Sequence, residues 1–171
     1  MGPPGARRDR FFGERVTMTT IYIDADACPV KDETYRVAAR HGVPVIVVAN
    51  APMRVPLDPN VRLEVVGSEF DAADDWIADR ARAGDIVITS DILLAGRCIN
   101  VGSGTGAFVL GPTGKPFTED NIGTATVTRE LMADMRAMGE IRSGPPPFQK
   151  KDRGVFLQEL EKMVVKAKRV G

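Results

Sequence analysis

Three groups of aspartates stand out in this chain, because each follows or opens a segment whose pattern predicts a strand or a helix. Asp24 and Asp26 follow the apolar run 21–23, and Asp91 follows the apolar run 86–88. Between them lie Asp71, Asp74 and Asp75. In open α/β sheets, ligands bind outside the carboxyl ends of the strands. Carboxylates gathered at that edge repel each other, so the pattern indicates a compensating hard cation such as Mg²⁺ or Mn²⁺.

Each group also has a purely structural explanation. Asp24 and Asp26 are two residues apart and share a face of an extended chain, but one could cap the helix predicted near Pro29 and the other could be solvated. Asp91 could be the N-cap of the next helix as readily as a ligand.

The middle group has an alternative of the same kind. Asp71, Asp74 and Asp75 are spaced as neighbours on a helix surface, and acids in a first helical turn are stabilised by the helix dipole. Convergence of all three groups on one sheet edge favours the metal site, since independent caps have no reason to converge.

The chemistry that suits such a site is hydrolysis of a phosphodiester bond. Cations held by carboxylates can clamp an in-line displacement at phosphorus and activate a water molecule. Lys31, Arg54 and Thr89 are candidates for contacts with the phosphates, although the sequence does not place them. The single histidine, His41, excludes a histidine-rich zinc site.

Composition limits the class of protein. The 171 residues are 43% apolar and 27% charged, which is typical of a soluble globular protein of one domain. Lysine plus arginine equals aspartate plus glutamate at 23 each, so the global basic bias of many nucleic-acid-binding proteins is missing. This weakens an interaction with RNA or DNA without excluding it.

The cell compartment follows from the apolar runs and the cysteines. No apolar run approaches the roughly 18 residues of a membrane span. Residues 1–17 lack the apolar core of a signal peptide and are predicted to be a disordered Gly/Pro/Arg tail. Cys28 and Cys98 do not form a disulfide framework, so a cytoplasmic location is expected.

Strands and helices are predicted to alternate, which indicates an α/β fold with a mostly parallel sheet covered on both faces. The compact domain is expected over residues 18–143. Residues 144–171 are expected to form a proline-rich break and a last helix, Asp152–Lys168, that packs on the same domain. The predicted strands are 20–23, 43–49, 61–66, 86–89 and 107–110, and the other predicted helices are 29–41, from about 71 to Gly84, 92–99 and 127–138, with loops at 51–59, 102–106 and 111–121.

Two resemblances sharpen this prediction. The acid-led helix at Asp74, followed by a strand ending in Thr89-Ser90-Asp91, resembles the later part of PIN domains, and Asp24 then matches their first acid. More closely, residues 19–165 resemble the YaiI/YqxD family of bacterial proteins, which is regarded as PIN-like. The motifs that carry this resemblance include Asp24-Ala25-Asp26-Ala27-Cys28-Pro29-Val30-Lys31, Val48-Ala49-Asn50, Phe70-Asp71-Ala72-Ala73-Asp74, Gly84-Asp85-Ile86-Val87-Ile88-Thr89-Ser90-Asp91-Ile92, Asn121-Ile122, Gly144-Pro145 and Asp152-Arg153.

The resemblance implies a three-layer α/β/α sandwich with a Rossmann-like, PIN-like sheet and an extra C-terminal helix. It implies a Mg²⁺- or Mn²⁺-dependent nuclease acting on RNA in preference to DNA. Asp24, Asp74 and Asp91 would be the catalytic residues and main metal ligands. Asp26, Asp71 and Asp75 would form a second tier of ligands, and Asn50 joins Lys31, Arg54 and Thr89 as a candidate for substrate binding.

Two other functions stay open at this stage. The Asp24-x-Asp26 pair resembles the nucleophile and acid of haloacid-dehalogenase-like phosphatases, but Gly84-Asp85 precedes its strand where that class needs it to follow. A non-catalytic PIN-like module that binds RNA or protein is the remaining alternative. The sequence does not give the oligomeric state, and a homodimer is compatible with it.

Overall fold

The computed structural model describes residues 18–26, 28–69, 71–99, 106–119, 121–122 and 148–170. The predicted N-terminal tail 1–17, the predicted helix 127–138 and the proline-rich break 144–147 therefore lie outside the described residues. The described elements, in chain order, are β1 (Ile21–Asp24), α1 (Lys31–His41), β2 (Val45–Ala49), β3 (Val61–Val65), α2 (Ala72–Arg80), β4 (Ile86–Ile88), α3 (Ile92–Ile99), β5 (Phe108–Leu110), β6 (Pro116–Phe117) and α4 (Lys150–Val170).

The strands form one six-stranded sheet in the order β3-β2-β1-β4-β5-β6. All neighbouring strands are parallel except β6, which pairs with β5 in the antiparallel direction. From β1 the chain runs outwards through β2 to β3, and then returns to place β4 on the other side of β1. The order of the strands thus reverses between β1 and β4, where ligands bind in open α/β sheets.

Both faces of the sheet are buried, which explains the near-continuous apolar runs of its central strands. On one face, Ile21, Ile23 and Ile88 pack with Phe156 and Leu160 of α4 in a core that also includes α1. On the other face, alternate strand residues pack against α2 and α3 in a second core. The predicted three-layer α/β/α sandwich with a C-terminal helix is confirmed.

Two helices begin or end at residues other than those predicted, because the flanking residues belong to a turn or an extended segment. Helix α1 begins at Lys31 because Pro29 belongs to the preceding turn, and it ends as predicted with Gly42 in the left-handed conformation at φ 66°. Helix α2 ends at Arg80, short of Gly84, because Ala81 is extended with its side chain buried.

The sequence did not predict one short strand of the sheet. Pro116 and Phe117 pair with β5 inside the segment predicted to be a loop. The turn before them requires Gly114 at φ 89°, and the Gly111 N–H donates to the Lys115 carbonyl at 2.9 Å. A proline is tolerated in this strand because β6 lies at the edge of the sheet.

None of the helices in the described part of the chain is long and apolar enough to cross a membrane.

Candidate functional site

The ends of β1 and β4 bring the first and last of the predicted acids together. The Thr89 hydroxyl, which is 2% exposed, donates to Asp24 Oδ2 at 2.8 Å. The same hydroxyl oxygen accepts the Asp91 backbone N–H at 3.0 Å. Thr89 is therefore a bridge between two neighbouring strand ends, a role that its sequence position did not reveal.

Asp91 is the N-cap of α3. Its Oδ1 accepts the backbone N–H groups of Leu93 at 2.9 Å and Leu94 at 3.4 Å. The carboxyl group of Asp91 also lies close enough to that of Asp74 to raise the pKa of Asp74. The capping role and the contact with a second acid coexist, so the two explanations of Asp91 do not exclude each other.

Helix α2 carries Asp74 towards these strand ends. Its residues Ala73 and Ile77 are buried in the second core, and Trp76 makes an edge contact with Tyr22 of β1 at 6.1 Å between ring centroids. These contacts fix the register of α2 against the sheet and direct Asp74 to the same edge as Asp24.

The pKa of Asp74 reflects the burial and the negative charges at this edge. Burial raises its pKa from 3.8 to about 7, and the negative charges of Asp91, Asp24 and Asp71 add to that effect. The pKa of Asp24 is also raised, first by burial and then by Asp91 and Asp26, although the Thr89 hydroxyl and the Asp26 backbone N–H lower it by hydrogen bonding. Like charges held together in a partly desolvated place are a feature of functional sites.

Asp71 has an unusual backbone. It is the N-cap of α2 at φ 69°, in the left-handed region, and its side chain makes no capping hydrogen bond. Asp71 therefore marks the start of α2, close to the predicted start, without giving the helix a side-chain cap. Asp71 is exposed and lies close enough to Asp74 to raise its pKa.

Two of the predicted ligands, Asp75 and Asp26, have exposed carboxylates outside the central three. Asp75 forms an exposed ion pair with Arg97 of α3 at 2.8 Å, with 59% of its side chain exposed. Asp26 is exposed in the turn after β1, and its backbone N–H is what reaches the Asp24 carboxylate. The structure thus brings Asp24, Asp74 and Asp91 together, with Asp71 and Asp26 beside them.

The predicted substrate-binding residues have different surroundings. Lys31 Nζ donates to the Cys28 carbonyl at 2.8 Å, and Asn50 Nδ2 donates to the Gly67 carbonyl at 3.0 Å, which joins the segments following β2 and β3. Arg54 is exposed in the proline-rich loop. Thr89 is buried between the two aspartates. The roles of these four residues in substrate binding stay predictions.

The donor atoms at this edge decide which cations could bind there. Among the residues described, no group of three or more His, Cys, Asp or Glu side chains stands where it could hold a metal ion by itself. The donors that do converge are all carboxylate oxygens, which suit hard cations and not zinc.

Both cysteines are free and buried, and burial raises the pKa of Cys28 and raises that of Cys98 to about 12, so neither thiol is an activated nucleophile.

The fold and this edge define a Rossmann-like α/β protein with acids at the point where strand order reverses. Residues 22–166 match the family described as "Uncharacterized BCR, YaiI/YqxD family", and the chain belongs to that family. The predicted membership is confirmed.

Bacterial relatives match over most of their length. UPF0178 protein bll3966 of Bradyrhizobium diazoefficiens is 54% identical over 90% of this chain and 89% of its own. A UPF0178 protein of Sphingopyxis alaskensis is 57% identical over 87% of this chain and 95% of its own. No solved structure matches the chain significantly.

Proposed function

We propose that this protein is a nuclease that hydrolyses phosphodiester bonds, with RNA as substrate and Mg²⁺ or Mn²⁺ as cofactor. Asp24, Asp74 and Asp91 are its catalytic residues. The observation that carries the proposal is the convergence of these three carboxyl groups, from three different elements, at the edge between β1 and β4. The preference for RNA rests on the resemblance to PIN domains.

Charge repulsion is the main support for the cation. Two unit charges about 4 Å apart interact by about 4 kcal/mol at the effective dielectric near a protein surface. In the absence of a cation, Asp74 relieves this repulsion by keeping its proton up to a pH of about 7. A divalent cation would relieve the same repulsion with all the acids ionised, so the group is suited to exchange a proton for a metal ion.

The number of ligands is compatible with Mg²⁺. Mg²⁺ sites typically use one or two carboxylates, several water molecules and the phosphate oxygens of the substrate. A cage of three or more protein side chains is therefore not required, and two of the three converging carboxylates would suffice once substrate is present. When bound, the cation would stabilise charge on the phosphate and lower the pKa of a water molecule.

The proposal assigns a separate role to each side chain at the site. Thr89 fixes the orientation of the Asp24 carboxylate, and the α3 backbone fixes one oxygen of Asp91. Asp74 has a pKa of about 7 without the cation. Once the cation displaces that proton, the Asp74 carboxylate lies beside the attacking water and is the candidate to accept its proton. Lys31, Asn50 and Arg54 are the candidates to contact the phosphates flanking the bond that breaks.

The test is cleavage of a fluorogenic single-stranded RNA by the full chain in Mn²⁺, in Mg²⁺ and in EDTA. Activity in either metal that is abolished by EDTA and by Asp24→Asn and Asp91→Asn would support the proposal. Asp79→Asn is the matched control, because Asp79 is an exposed acid on the same helix as Asp74. RNA binding that persists in EDTA, with no cleavage in either metal, would contradict the proposal and favour a binding module.

A further inference from the structure

The turn between β1 and α1 is held by side chains that donate to three successive backbone carbonyls. Lys31 Nζ donates to the Cys28 carbonyl at 2.8 Å, and the Thr34 hydroxyl donates to the Val30 carbonyl at 2.8 Å. The carbonyl between them, that of Pro29, accepts Arg153 Nη1 at 3.1 Å. Arg153 is 124 residues further along the chain, in the first turn of α4.

Arg153 is fixed by two further contacts. Its Nη1 also donates to Glu33 Oε2 at 2.8 Å, and its guanidinium lies over the Phe148 ring at 5.0 Å. The Glu33 side chain is only 6% exposed, and its Oε1 has no hydrogen-bond partner among the described residues. Arg36 approaches Glu33 only to 3.8 Å. Arg153 is thus the main cation that compensates a buried carboxylate.

A continuous set of contacts leads from this turn to the acids. The Cys28 N–H donates to the Ala25 carbonyl at 3.3 Å, and the Ala25 N–H donates to the Val48 carbonyl at 3.0 Å. The next N–H along, that of Asp26, donates to the carboxylate of Asp24. The backbone of residues 25, 26 and 28–30 therefore sets both where the Asp26 side chain lies and how the Asp24 carboxylate is held.

We propose that Arg153 is a positioning residue of the acidic site, which holds the β1–α1 turn through Glu33 and the Pro29 carbonyl so that Asp24 and Asp26 keep their geometry. This inference rests on the proposed function, because it assigns Arg153 a part in cation binding without contact with the cation. It makes the C-terminal helix a component of the site as well as of the core.

The chain offers a matched control for the expected stability loss. Glu161 of α4 pairs with Arg40 and with His41 Nε2 of α1, so it joins the same two helices at the other end of α1. Replacing Glu161 loosens the same helix pair at a distance from the turn. The variants are therefore Arg153→Met, Arg153→Lys and Glu161→Gln.

The experiment measures Mn²⁺ affinity by calorimetry together with amide hydrogen exchange of the full chain. Arg153→Met should weaken Mn²⁺ binding about tenfold, as for residues that orient metal ligands, while Arg153→Lys restores part of the affinity and Glu161→Gln leaves it unchanged. The amides of Ala25 and Cys28 should exchange faster in Arg153→Met, whereas the Ile21 amide at the opposite end of β1 keeps its protection.

Several results would overturn the inference. Equal Mn²⁺ affinity in Arg153→Met and the wild type, or equal losses in Arg153→Met and Glu161→Gln, would make Arg153 merely structural. If Arg153→Met does not fold, Arg153→Lys provides the test. Full Mn²⁺ affinity and unchanged amide exchange at Ala25 in that variant would reject the positioning role of Arg153. A wild type that binds no Mn²⁺ would instead reject the proposed function, and selective exchange at Ala25 and Cys28 would then still report whether Arg153 holds the turn.

Discussion

The carboxyl groups of Asp74 on α2 and Asp91 before α3 lie close together at the edge between β1 and β4. Burial raises the pKa of Asp74 from 3.8 to about 7, and the charges of Asp91, Asp24 and Asp71 add to that effect. The proton at this position is therefore part of the folded state at mildly acidic pH, and its release should be measurable in the stability of the protein.

The first prediction concerns that pH dependence. Because the unfolded chain releases this proton near pH 4 and the folded chain near pH 7, the folded state binds more protons between these values. The free energy of unfolding should fall as pH rises through this window, and Asp74→Asn should flatten the fall. Urea denaturation between pH 4 and 8 measures it, with Asp79→Asn as control. Parallel curves for Asp74→Asn and the wild type would contradict the prediction.

The second prediction concerns the Thr89 bridge. Thr89→Val keeps the shape of the buried side chain but leaves Asp24 Oδ2 and the Asp91 N–H without this partner, at a cost of about 1–3 kcal/mol in unfolding free energy. Mn²⁺ affinity should fall as well, because the hydrogen bond that orients Asp24 and lowers its pKa is lost. Thr89→Ser keeps the hydroxyl and should retain both properties. A Thr89→Val protein as stable as Thr89→Ser would show that the bridge contributes nothing.

The third prediction separates Asp75 from its neighbour Asp74. The Asp75 carboxylate faces Arg97 in an exposed ion pair, so Asp75→Asn should change stability by less than about 1 kcal/mol. Mn²⁺ affinity should stay close to that of the wild type, whereas Asp74→Asn weakens it. Calorimetric titration of both variants is the measurement, and equal losses would place Asp75 among the main ligands.

The fourth prediction tests the structural part of α4. Phe156 is fully buried between α4 and the sheet, so Phe156→Ala should cost about 3–5 kcal/mol in unfolding free energy. Val165→Ala on the same helix should change it by less than about 0.5 kcal/mol, because Val165 is exposed. Urea denaturation distinguishes the two, and similar small effects would mean that α4 does not belong to the core.

The sequence predicts the fold well where the signal is local. The buried strands β1 and β4 lie within a residue or two of their predicted positions, because a strand buried on both faces has a continuous apolar sequence. Gly42 ends α1 as expected, because a left-handed helix terminus favours glycine. The edge strand β6 was missed because two residues carry no periodicity and Pro116 argues against a strand.

The site is predicted less completely, because its contacts depend on strand order. Asp85 and Asp91 flank the same strand, but Asp85 is 1% exposed, and its oxygens accept the N–H groups of Thr20 and Arg82, which makes it structural. Their positions before and after the strand distinguish the two acids in the sequence, but the contacts that hold each of them depend on which strands are neighbours.

Local sequence patterns could not predict the Arg153–Glu33 pair. These residues are 120 positions apart, and each by itself looks like a charge on a helix surface. Only the packing of α4 across α1 shows that Glu33 is buried and that Arg153 reaches the Pro29 carbonyl.

The most direct test of the central claim is calorimetric titration of Mn²⁺ into the wild type, Asp24→Asn and Asp91→Asn, each shown to be folded by circular dichroism. Asparagine also caps helices, so Asp91→Asn should keep α3 intact while removing a charge. The account predicts binding to the wild type that is lost in both variants and kept in Asp79→Asn. No heat of binding to the wild type at millimolar Mn²⁺, with or without an RNA oligonucleotide, would contradict it.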